Sequence, residues 1–581
     1  MTDSAYFNVD RSLTGRRWVG PNIAQDRAAE ALAQATGEPR ILCQVLARLG
    51  VDALDVPTYL APSLRDTMPD PMSLKDMDKA STRLAQAAMQ KERIAVFADY
   101  DVDGAASGAL LIDWLRHFGI RATHYVPDRI DEGYGPNAPA MTALSKDHDL
   151  IICVDCGTLS HAALAAARAD VIVLDHHLGG ESLPQVHAIV NPNRQDEDGA
   201  LSYLCAAGVV FLTLVAANSA LKAQGQAGPN LLEALDIVAL ATVADVAPLT
   251  GFNRTLVRQG LKVMSARQRP GLRALADVAR METAPTSYHL GFLLGPRINA
   301  GGRVGQADLG LRLLATQDLN EADALAERLD TLNEERRAIE AEVQLAAIAQ
   351  AETRDTSKAL VWAAADGWHP GVVGIVASRL KEACNRPSIV IGFDGDDGKG
   401  SGRSVSGIDL GNAIACLARE GLIEKGGGHK MAAGLSLTRA QLEPAMERLT
   451  ELLAKQGADQ LGPQDLILDG PIAPMAATLD LLEQLELAGP FGVGAPAPRF
   501  VVPFVQVAFA KRVGDTHLQA SFRDDTGAKI DAIAFKAFDG PLGNAILNHD
   551  GTTFHVAGRI EIDEWQGRRR PKLRLEDAFA V

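Results

Sequence analysis

Three acidic residues alternate along one short segment of the sequence. Asp99, Asp101 and Asp103 lie in ADYDVDG, directly after the apolar run IAVF. Carboxylates at this spacing repel one another, and such a cluster is tolerated when cations lie among them. An N-cap and turn before the next helix is the competing interpretation of the same residues. Taken alone, the cluster leaves both a metal site and a helix cap open.

Further acidic and imidazole groups follow other apolar runs. Asp155 comes after LIICV, and His176 and His177 follow VIVLD. Asp245 lies in the apolar, helix-like segment ALATVADVAPL, where a carboxylate needs a partner such as a cation. Consecutive histidines cannot both point the same way from an extended segment. One of them would therefore bind metal while the other supports it or contacts phosphate.

This combination of ligands predicts both a type of metal and a reaction. Carboxylate and imidazole groups without a thiolate suit manganese or magnesium better than structural zinc. A carboxylate such as Asp155 can bridge two ions about 3.5–4 Å apart. Two such ions orient and deprotonate a water and stabilise the charge that develops on a phosphate. The predicted chemistry is hydrolysis of a phosphoester or phosphoanhydride.

The stretches between these residues alternate between strand-like and helix-like patterns. Strand candidates RIAVFADY, RATHYVPD, DLIICVDCG and DVIVLDHH are separated by helix candidates. This alternation predicts βαβ units and a mostly parallel, doubly wound sheet that is buried on both faces. Because the carboxyl ends of parallel strands open into one crevice, groups far apart in sequence can meet there.

The whole chain has 581 residues, which predicts about three to five domains. The fold class is α/β. We expect an N-terminal helical extension (1–85), a catalytic doubly wound unit (86–316), a long amphipathic connecting helix (317–355), a second α/β unit (356–460) and a small β-barrel of OB-like topology (461–581).

Composition excludes several classes of protein. The chain has 57 Lys and Arg against 73 Asp and Glu, a formal net charge of −16. This rules out a globally basic nucleic-acid coat protein, but not a nucleic-acid enzyme with a local basic groove. Six cysteines form no disulfide framework, and the first residues lack a secretory signal. The apolar stretch 203–217 predicts a buried helix, since it is too short to span a bilayer. A cytoplasmic protein is the expected default.

Glycine-rich segments later in the chain carry candidate phosphate contacts. Arginine suits bidentate phosphate binding, and glycine lets the backbone approach a phosphate closely. An interdomain salt bridge is the alternative for the arginines of GPRINAGGR, and a turn into a helix is the alternative for GGHKMAAG. The candidates are Arg297, Asn299 and Arg303 in a predicted loop, Ser401, Arg403 and Ser404 in the predicted flexible segment KGSGRS, and His429 in GGHKMAAG.

The motifs together resemble a known family. DYDVDG, CVDCG, DHH and ATVADVAPL, in this order, resemble the four metal motifs of the DHH phosphoesterase superfamily. GPRINAGGR, GWHPGVVGIVASRL, KGSGRS, GGHKMAAG and LAGPFGVGAPAPRF resemble its RecJ branch. The chain departs from the family pattern at NAGGR, where the family often has NAAGR, and at APAP (495–498), where it often has NPEP.

The resemblance implies a DNA exonuclease specific for single strands. It would act from the 5′ end, release mononucleotides with two divalent cations, manganese or magnesium, and serve DNA recombination and repair. The implied partners are single-stranded DNA, a helicase and a single-strand-binding protein, with no membrane, and the chain would be a monomer. The implied metal ligands are Asp99, Asp101, Asp103, Asp155, His176 and Asp245, with His177 in a supporting catalytic role.

Two alternatives stay open at this point. A phosphodiesterase of the same superfamily that acts on short oligonucleotides or cyclic dinucleotides would lack the strands after residue 461. A replication scaffold with the same fold would have lost the ions, which the intact acidic motifs disfavour.

Overall fold

The N-terminal segment packs on the end of the chain. The computed structural model describes residues 5–128, 132–354, 358–462, 464–565 and 567–581. The segment contains β1 (Trp18–Val19), α1 (Ile23–Thr36), α2 (Arg40–Arg48), α3 (Val56–Leu60), α4 (Leu64–Thr67) and α5 (Met77–Gln90). Leu42 and Leu46 of α2 share one apolar core with Phe500 and Leu518 of the C-terminal barrel. The predicted helical extension therefore packs against the barrel and shares its apolar core.

The first α/β unit contains the predicted parallel sheet. Its elements are β2 (Ile94–Ala98), α6 (Val102–His117), β3 (Thr123–Tyr125), α7 (Ala138–Asp147), β4 (Leu150–Val154), α8 (His161–Leu164), β5 (Asp170–Leu174), β6 (Ala188–Val190), α9 (Ala206–Ala223) and α10 (Leu235–Ala244). All five strands run parallel in the order β3-β2-β4-β5-β6. Two of the three interior strands, β2 and β4, are buried along their whole length, as expected for a sheet covered on both faces.

Helix α9 is the predicted buried helix, extended at its C-terminal end. Among the described residues it is the helix long and apolar enough to cross a membrane, and 67% of this stretch is buried inside the protein. Its core residues include Phe211 and Leu214, which pack in the same cluster as the strands of the sheet. It therefore serves as a core helix that covers the sheet.

Helices connect the two α/β units. They are α11 (Gly251–Ser265), α12 (Pro270–Val278), a π-helix at His289–Leu294, α13 (Gly295–Val304), α14 (Leu309–Ala315) and α15 (Leu319–Glu352). Helix α15 is the predicted connecting helix, and its predicted end at 355 lies outside the described residues. The predicted glycine-rich loop at 295–303 is wrong, because these residues form α13. A Cβ on Gly302 would lie 3.0 Å from the Tyr100 Cβ, so glycine allows close packing here.

The second α/β unit has a mixed sheet. Its elements are β7 (Val361–Asp366), α16 (Pro370–Cys384), β8 (Ser388–Asp394), β9 (Asp397–Arg403), α17 (Leu410–Arg419), β10 (Lys425–Gly428), β11 (Ala432–Thr438) and α18 (Arg439–Ala454), with the strand order β10-β11-β9-β8-β7. The flexible segment predicted for KGSGRS is wrong, because it lies in and directly after strand β9. A Cβ on Gly400 would lie 2.8 Å from Ile391 Cγ1 of the neighbouring strand β8, so glycine at this position leaves room for that side chain against β9.

The C-terminal part forms the predicted barrel. Its elements are β12 (Leu466–Ile467), β13 (Gly470–Pro471), α19 (Leu479–Leu487), β14 (Phe500–Val513), β15 (His517–Arg523), β16 (Lys529–Ala534), α20 (Pro541–Leu547), β17 (Thr553–Trp565) and β18 (Arg568–Ala580). Pairing in the order β14-β15-β16-β18-β17 is closed by contacts between β14 and β17. Closure removes the exposed sheet edges. Strand β12 pairs with β1, which ties the barrel to the N-terminal segment.

Candidate metal centre

The carboxyl edge of the parallel sheet gathers the predicted acidic and histidine groups. Asp99 directly follows β2, Asp155 directly follows β4, and Asp245 caps the end of α10 above the same edge. In each of three sets of residues, the ligand atoms lie within 4.8 Å of one another. The sets are Asp99, Asp101 and Asp155; Asp103, His176 and Asp245; and Asp155, His176 and His177. All seven residues predicted for metal binding or catalysis therefore meet in space.

Helix N-termini hold two of the carboxylates. Asp101 is the N-cap of α6, and its Oδ1 accepts hydrogen bonds from the N–H groups of Asp103 (2.8 Å) and Gly104 (3.1 Å). Asp103 accepts hydrogen bonds from the N–H groups of Ala206 (2.6 Å) and Ala207 (2.8 Å) at the start of α9. The positive end of each helix dipole favours the negative charge placed there. The helix cap and the metal site that the sequence left open are thus compatible.

Asp155 belongs to two of the three sets and has an unusual backbone. It is 2% exposed and has φ of 58°, a left-handed conformation in which Asp is one of the more tolerant side chains. Its buried Oδ1 accepts no hydrogen bond from any described residue, and it lies 3.3 Å from His176 Nε2. A buried carboxylate oxygen left in this state is costly unless a cation coordinates it.

The electrostatics of the cluster also fit divalent cations. Burial raises the pKa of Asp155 well above its usual range, and the negative charges of Asp101 and Asp103 raise it further. Burial and the same two neighbours raise the pKa of Asp245 to about 9. These carboxyl groups cannot all be ionised at neutral pH in the chain alone. Cations among the carboxylates would offset their mutual repulsion and allow them to ionise, so the residues fit the hard divalent ions that the sequence predicts.

Asp175 and Tyr134 orient His177. The Asp175 carboxylate accepts hydrogen bonds from His177 Nδ1 (2.8 Å), Thr158 Oγ1 (2.6 Å) and backbone N–H groups that include that of His176. Burial alone would raise the pKa of Asp175, but these hydrogen bonds lower it below its usual range. Tyr134 donates from its hydroxyl to the Asp155 carbonyl oxygen (2.8 Å), and the same hydroxyl is 3.0 Å from His177 Nδ1. Tyr134 was not predicted, because it lies outside the strand ends, in a loop before α7.

Two asparagines that were not predicted from the sequence hold the backbone of His176 and His177 in place. Asn191 directly follows β6 and donates to Thr158 Oγ1 (2.8 Å) and to the His177 carbonyl (2.8 Å). Asn193 donates to the His176 carbonyl (2.6 Å). For Asn191 the available signal was a polar residue directly after the short apolar run AIV, the pattern shared by the other strand ends.

Helix α13 places its three candidate residues in different roles. Asn299 Oδ1 accepts a hydrogen bond from the Val102 N–H (3.1 Å), which holds the start of α6 and its acidic residues. Arg297 Nε donates to Asp330 of α15 (2.8 Å), so the salt bridge that the sequence left open is present. Arg303 donates to the Gly371 carbonyl at the start of α16 (2.9 Å), which joins the two α/β units.

The remaining candidates lie close together on the second unit. Arg403 Nη1 donates to Ser401 Oγ (2.9 Å), and both side chains face Gly374 of α16. His429 lies in the turn between β10 and β11, next to the residues that pair with the end of β9. Ser404 is buried and donates to the Ile408 carbonyl (2.8 Å), so we leave it out of the proposed substrate contacts. Through Arg303 and α16, this group adjoins the helix that contacts the metal cluster.

Family models match three parts of the chain. The DHH family N-terminal domain matches residues 93–242, the DHHA1 domain matches residues 356–455, and the RecJ OB domain matches residues 468–577. The first range covers every residue of the metal cluster except Asp245, and the other two cover most of the second α/β unit and of the barrel.

Complete relatives match nearly the whole chain. The single-stranded-DNA-specific exonuclease RecJ of Dickeya dadantii is 38% identical over 94% of this chain and 96% of its own length. The crystal structure of RecJ from Thermus thermophilus in complex with Mn²⁺ has a TM-score of 0.79 and 29% identity, and covers 97% of this chain and 79% of that one. The Mg²⁺ complex of the same protein has a TM-score of 0.73, 28% identity and covers 97% of this chain and 78% of that one. The chain therefore belongs to the RecJ family of the DHH phosphoesterases.

Proposed function

We propose that this chain is a metal-dependent exonuclease that degrades single-stranded DNA by hydrolysing its phosphodiester bonds. The observation that carries the proposal is the meeting of seven acidic and imidazole side chains at one sheet edge, in a chain of this family. Relatives named as single-stranded-DNA-specific exonucleases, and structures that contain Mn²⁺ or Mg²⁺, support both the reaction and the ions.

The ligand sets assign roles to individual side chains. Asp99, Asp101 and Asp155 would hold one ion, and Asp103, His176 and Asp245 would hold the second. Such ions, when bound, lower the pKa of a water and neutralise charge on the scissile phosphate. Asp155 of the first set lies 3.3 Å from His176 of the second, while Asp175 and Tyr134 fix His177 in position to contact a phosphate oxygen.

In this proposal the second α/β unit faces the ions across a cleft. Ser401, Arg403 and His429 offer hydroxyl, guanidinium and imidazole donors on this unit, whose α16 accepts the hydrogen bond from Arg303 of α13. Donors of this kind suit the phosphate at the end of a strand. We assign them to the 5′ end, so that cleavage runs 5′ to 3′ and releases mononucleotides. The cleft would admit one strand and exclude a duplex.

The enzyme would work in DNA recombination and repair in the cytoplasm. A helicase and a single-strand-binding protein are the proposed partners, because each supplies or coats the single strands that this reaction consumes. We propose that the enzyme acts as a monomer, since both α/β units and the barrel belong to one chain.

End-labelled oligonucleotides test the proposal directly. The purified protein is incubated with single-stranded or duplex DNA, labelled at the 5′ or the 3′ end, with manganese, magnesium or a chelator. We expect labelled mononucleotide at once from the 5′ label, a ladder of shortened products from the 3′ label, and no cleavage of the duplex or with the chelator. Attack from the 3′ end would contradict the polarity, and equal digestion of the duplex would contradict the strand specificity.

A further inference from the structure

Two aromatic side chains are exposed beside the metal centre. Tyr288 is 59% exposed and Phe292 is 70% exposed, and their rings stack on each other with centroids 5.2 Å apart and planes 23° apart. We call this pair the aromatic platform. Large aromatic side chains that stay in solvent as a pair usually mark a binding surface.

The backbone under the platform is firmly held. Tyr288 precedes, and Phe292 lies within, the π-helix at His289–Leu294, whose Leu290 and Leu294 are fully buried in the core of the first unit. Single π-turns are rare and often lie at functional sites. The exposure of the two rings is thus a consequence of a fixed backbone that points them outward, not of a loose loop.

Glycine lets this segment pack closely against the end of α10, directly before the metal-cluster residue Asp245. A Cβ on Gly291 would lie 3.3 Å from Val243 Cγ1, and a Cβ on Gly295 would lie 3.2 Å from the Ala244 Cβ. Val243 and Ala244 directly precede Asp245. The platform therefore borders the metal centre on the side of Asp245, whereas Arg303 and the second unit adjoin it through the other end of α13.

The chain that follows Asp245 leads from the metal centre toward the barrel, and we call this edge of the metal centre, with the platform beside it, the rim. The Leu249 N–H, four residues after Asp245, donates to the Val493 carbonyl (2.7 Å) in the segment that leads into the barrel. A strand whose end is held by the second unit and whose scissile bond lies at the metal centre would leave toward this rim. Its bases would then meet the two rings.

We propose that Tyr288 and Phe292 stack on a base of the DNA strand on the far side of the scissile bond from the held end. The inference rests on the proposed function and extends it to how the remaining strand is retained after each cut. Stacking on an aromatic ring suits this task because every base has a flat face, so the contact tolerates any sequence. The two residues act as positioning residues and take no part in bond cleavage.

Kinetics on substrates of two lengths test the platform. The variants Tyr288→Ala, Phe292→Ala and the double variant are compared with the parent on a long oligothymidylate and on a dinucleotide. We expect KM for the long substrate to rise about fivefold to hundredfold with little change in kcat, and to rise far less for the dinucleotide, which ends before the platform. Phe292→Tyr should retain the parent KM, whereas Phe292→Leu, which keeps apolar bulk without a ring, should not.

Controls separate this inference from the function on which it rests. Leu54→Ala removes an exposed apolar side chain from the N-terminal segment and should leave both substrates unaffected. Failure of the parent protein to digest single strands would defeat the proposed function itself. An active parent whose double variant keeps the same KM for the long substrate, or loses kcat equally on both substrates, would overturn the platform alone.

Discussion

Replacing Asp155 with asparagine should abolish activity while making the metal-free protein more stable. Asparagine has nearly the same shape as aspartate and tolerates the left-handed backbone at this position, where φ is 58°. The substitution therefore removes a charge and leaves the backbone in place. Loss of one ion ligand should lower kcat to below about 1% of the parent, which corresponds to about 3 kcal/mol of lost transition-state stabilisation.

The gain in stability follows from the crowding of carboxylates. The ligand atoms of Asp99, Asp101 and Asp155 lie within 4.8 Å of one another. Two unit charges at this separation repel by about 3.5 kcal/mol at an effective dielectric constant of about 20. Because burial raises the pKa of Asp155, protonation already relieves part of this repulsion. We therefore expect the metal-free variant to gain about 1–3 kcal/mol at about pH 8.

Two assays measure these opposite effects. Single-strand digestion with manganese gives the activity, and urea unfolding in the presence of a chelator gives the free energy of unfolding. Asp147→Asn, on an exposed part of the same unit, is the matched control and should change neither. Activity of the Asp155 variant above a few per cent of the parent, or a destabilised metal-free variant, would refute the role of Asp155 as an ion ligand in a crowded acidic cluster.

Other side chains give further predictions. Arg403→Ala should raise KM for single-stranded DNA more than it lowers kcat, because its proposed role is positioning, and an unchanged KM with a large fall in kcat would contradict that role. Arg297→Ala and Asp330→Ala should each lower the free energy of unfolding by about 1–3 kcal/mol. Because both variants remove the same ion pair, the double variant should be no less stable than either single variant. Additive losses of stability in urea unfolding would contradict this ion pair. The pKa of Asp245 is raised to about 9 in the folded chain, well above the pKa of an aspartate in the unfolded chain. At any pH between these two pKa values, the folded state therefore binds more protons than the unfolded state. The metal-free protein should therefore lose stability as the pH rises from about 5 to about 9, whereas manganese should abolish this loss; a thermal midpoint independent of pH without metal would be the contrary result.

The sequence predicted the metal cluster because a parallel sheet imposes its geometry. Asp155 and the histidines follow apolar runs, and strands that run parallel must end at the same edge. Residues that reach the cluster from loops, such as Tyr134 and Asn193, carry no periodic signal and were missed. Their roles depend on tertiary contacts over long distances in sequence.

Glycine-rich segments were the main source of error. The glycines predict a loop at 295–303 and a flexible segment at Lys399–Ser404, yet the first is a helix and the second is mostly a strand. In both, the missing Cβ makes room for a neighbouring side chain or backbone, as Gly302 does for Tyr100. A glycine that permits an unusual backbone and one that permits close packing are identical in sequence.

Anomalous diffraction from crystals soaked in manganese tests the central claim most directly. We predict two peaks at the carboxyl edge of the parallel sheet, one bordered by Asp99, Asp101 and Asp155 and the other by Asp103, His176 and Asp245. A single peak, or peaks away from these residues, would contradict the account of a centre with two ions.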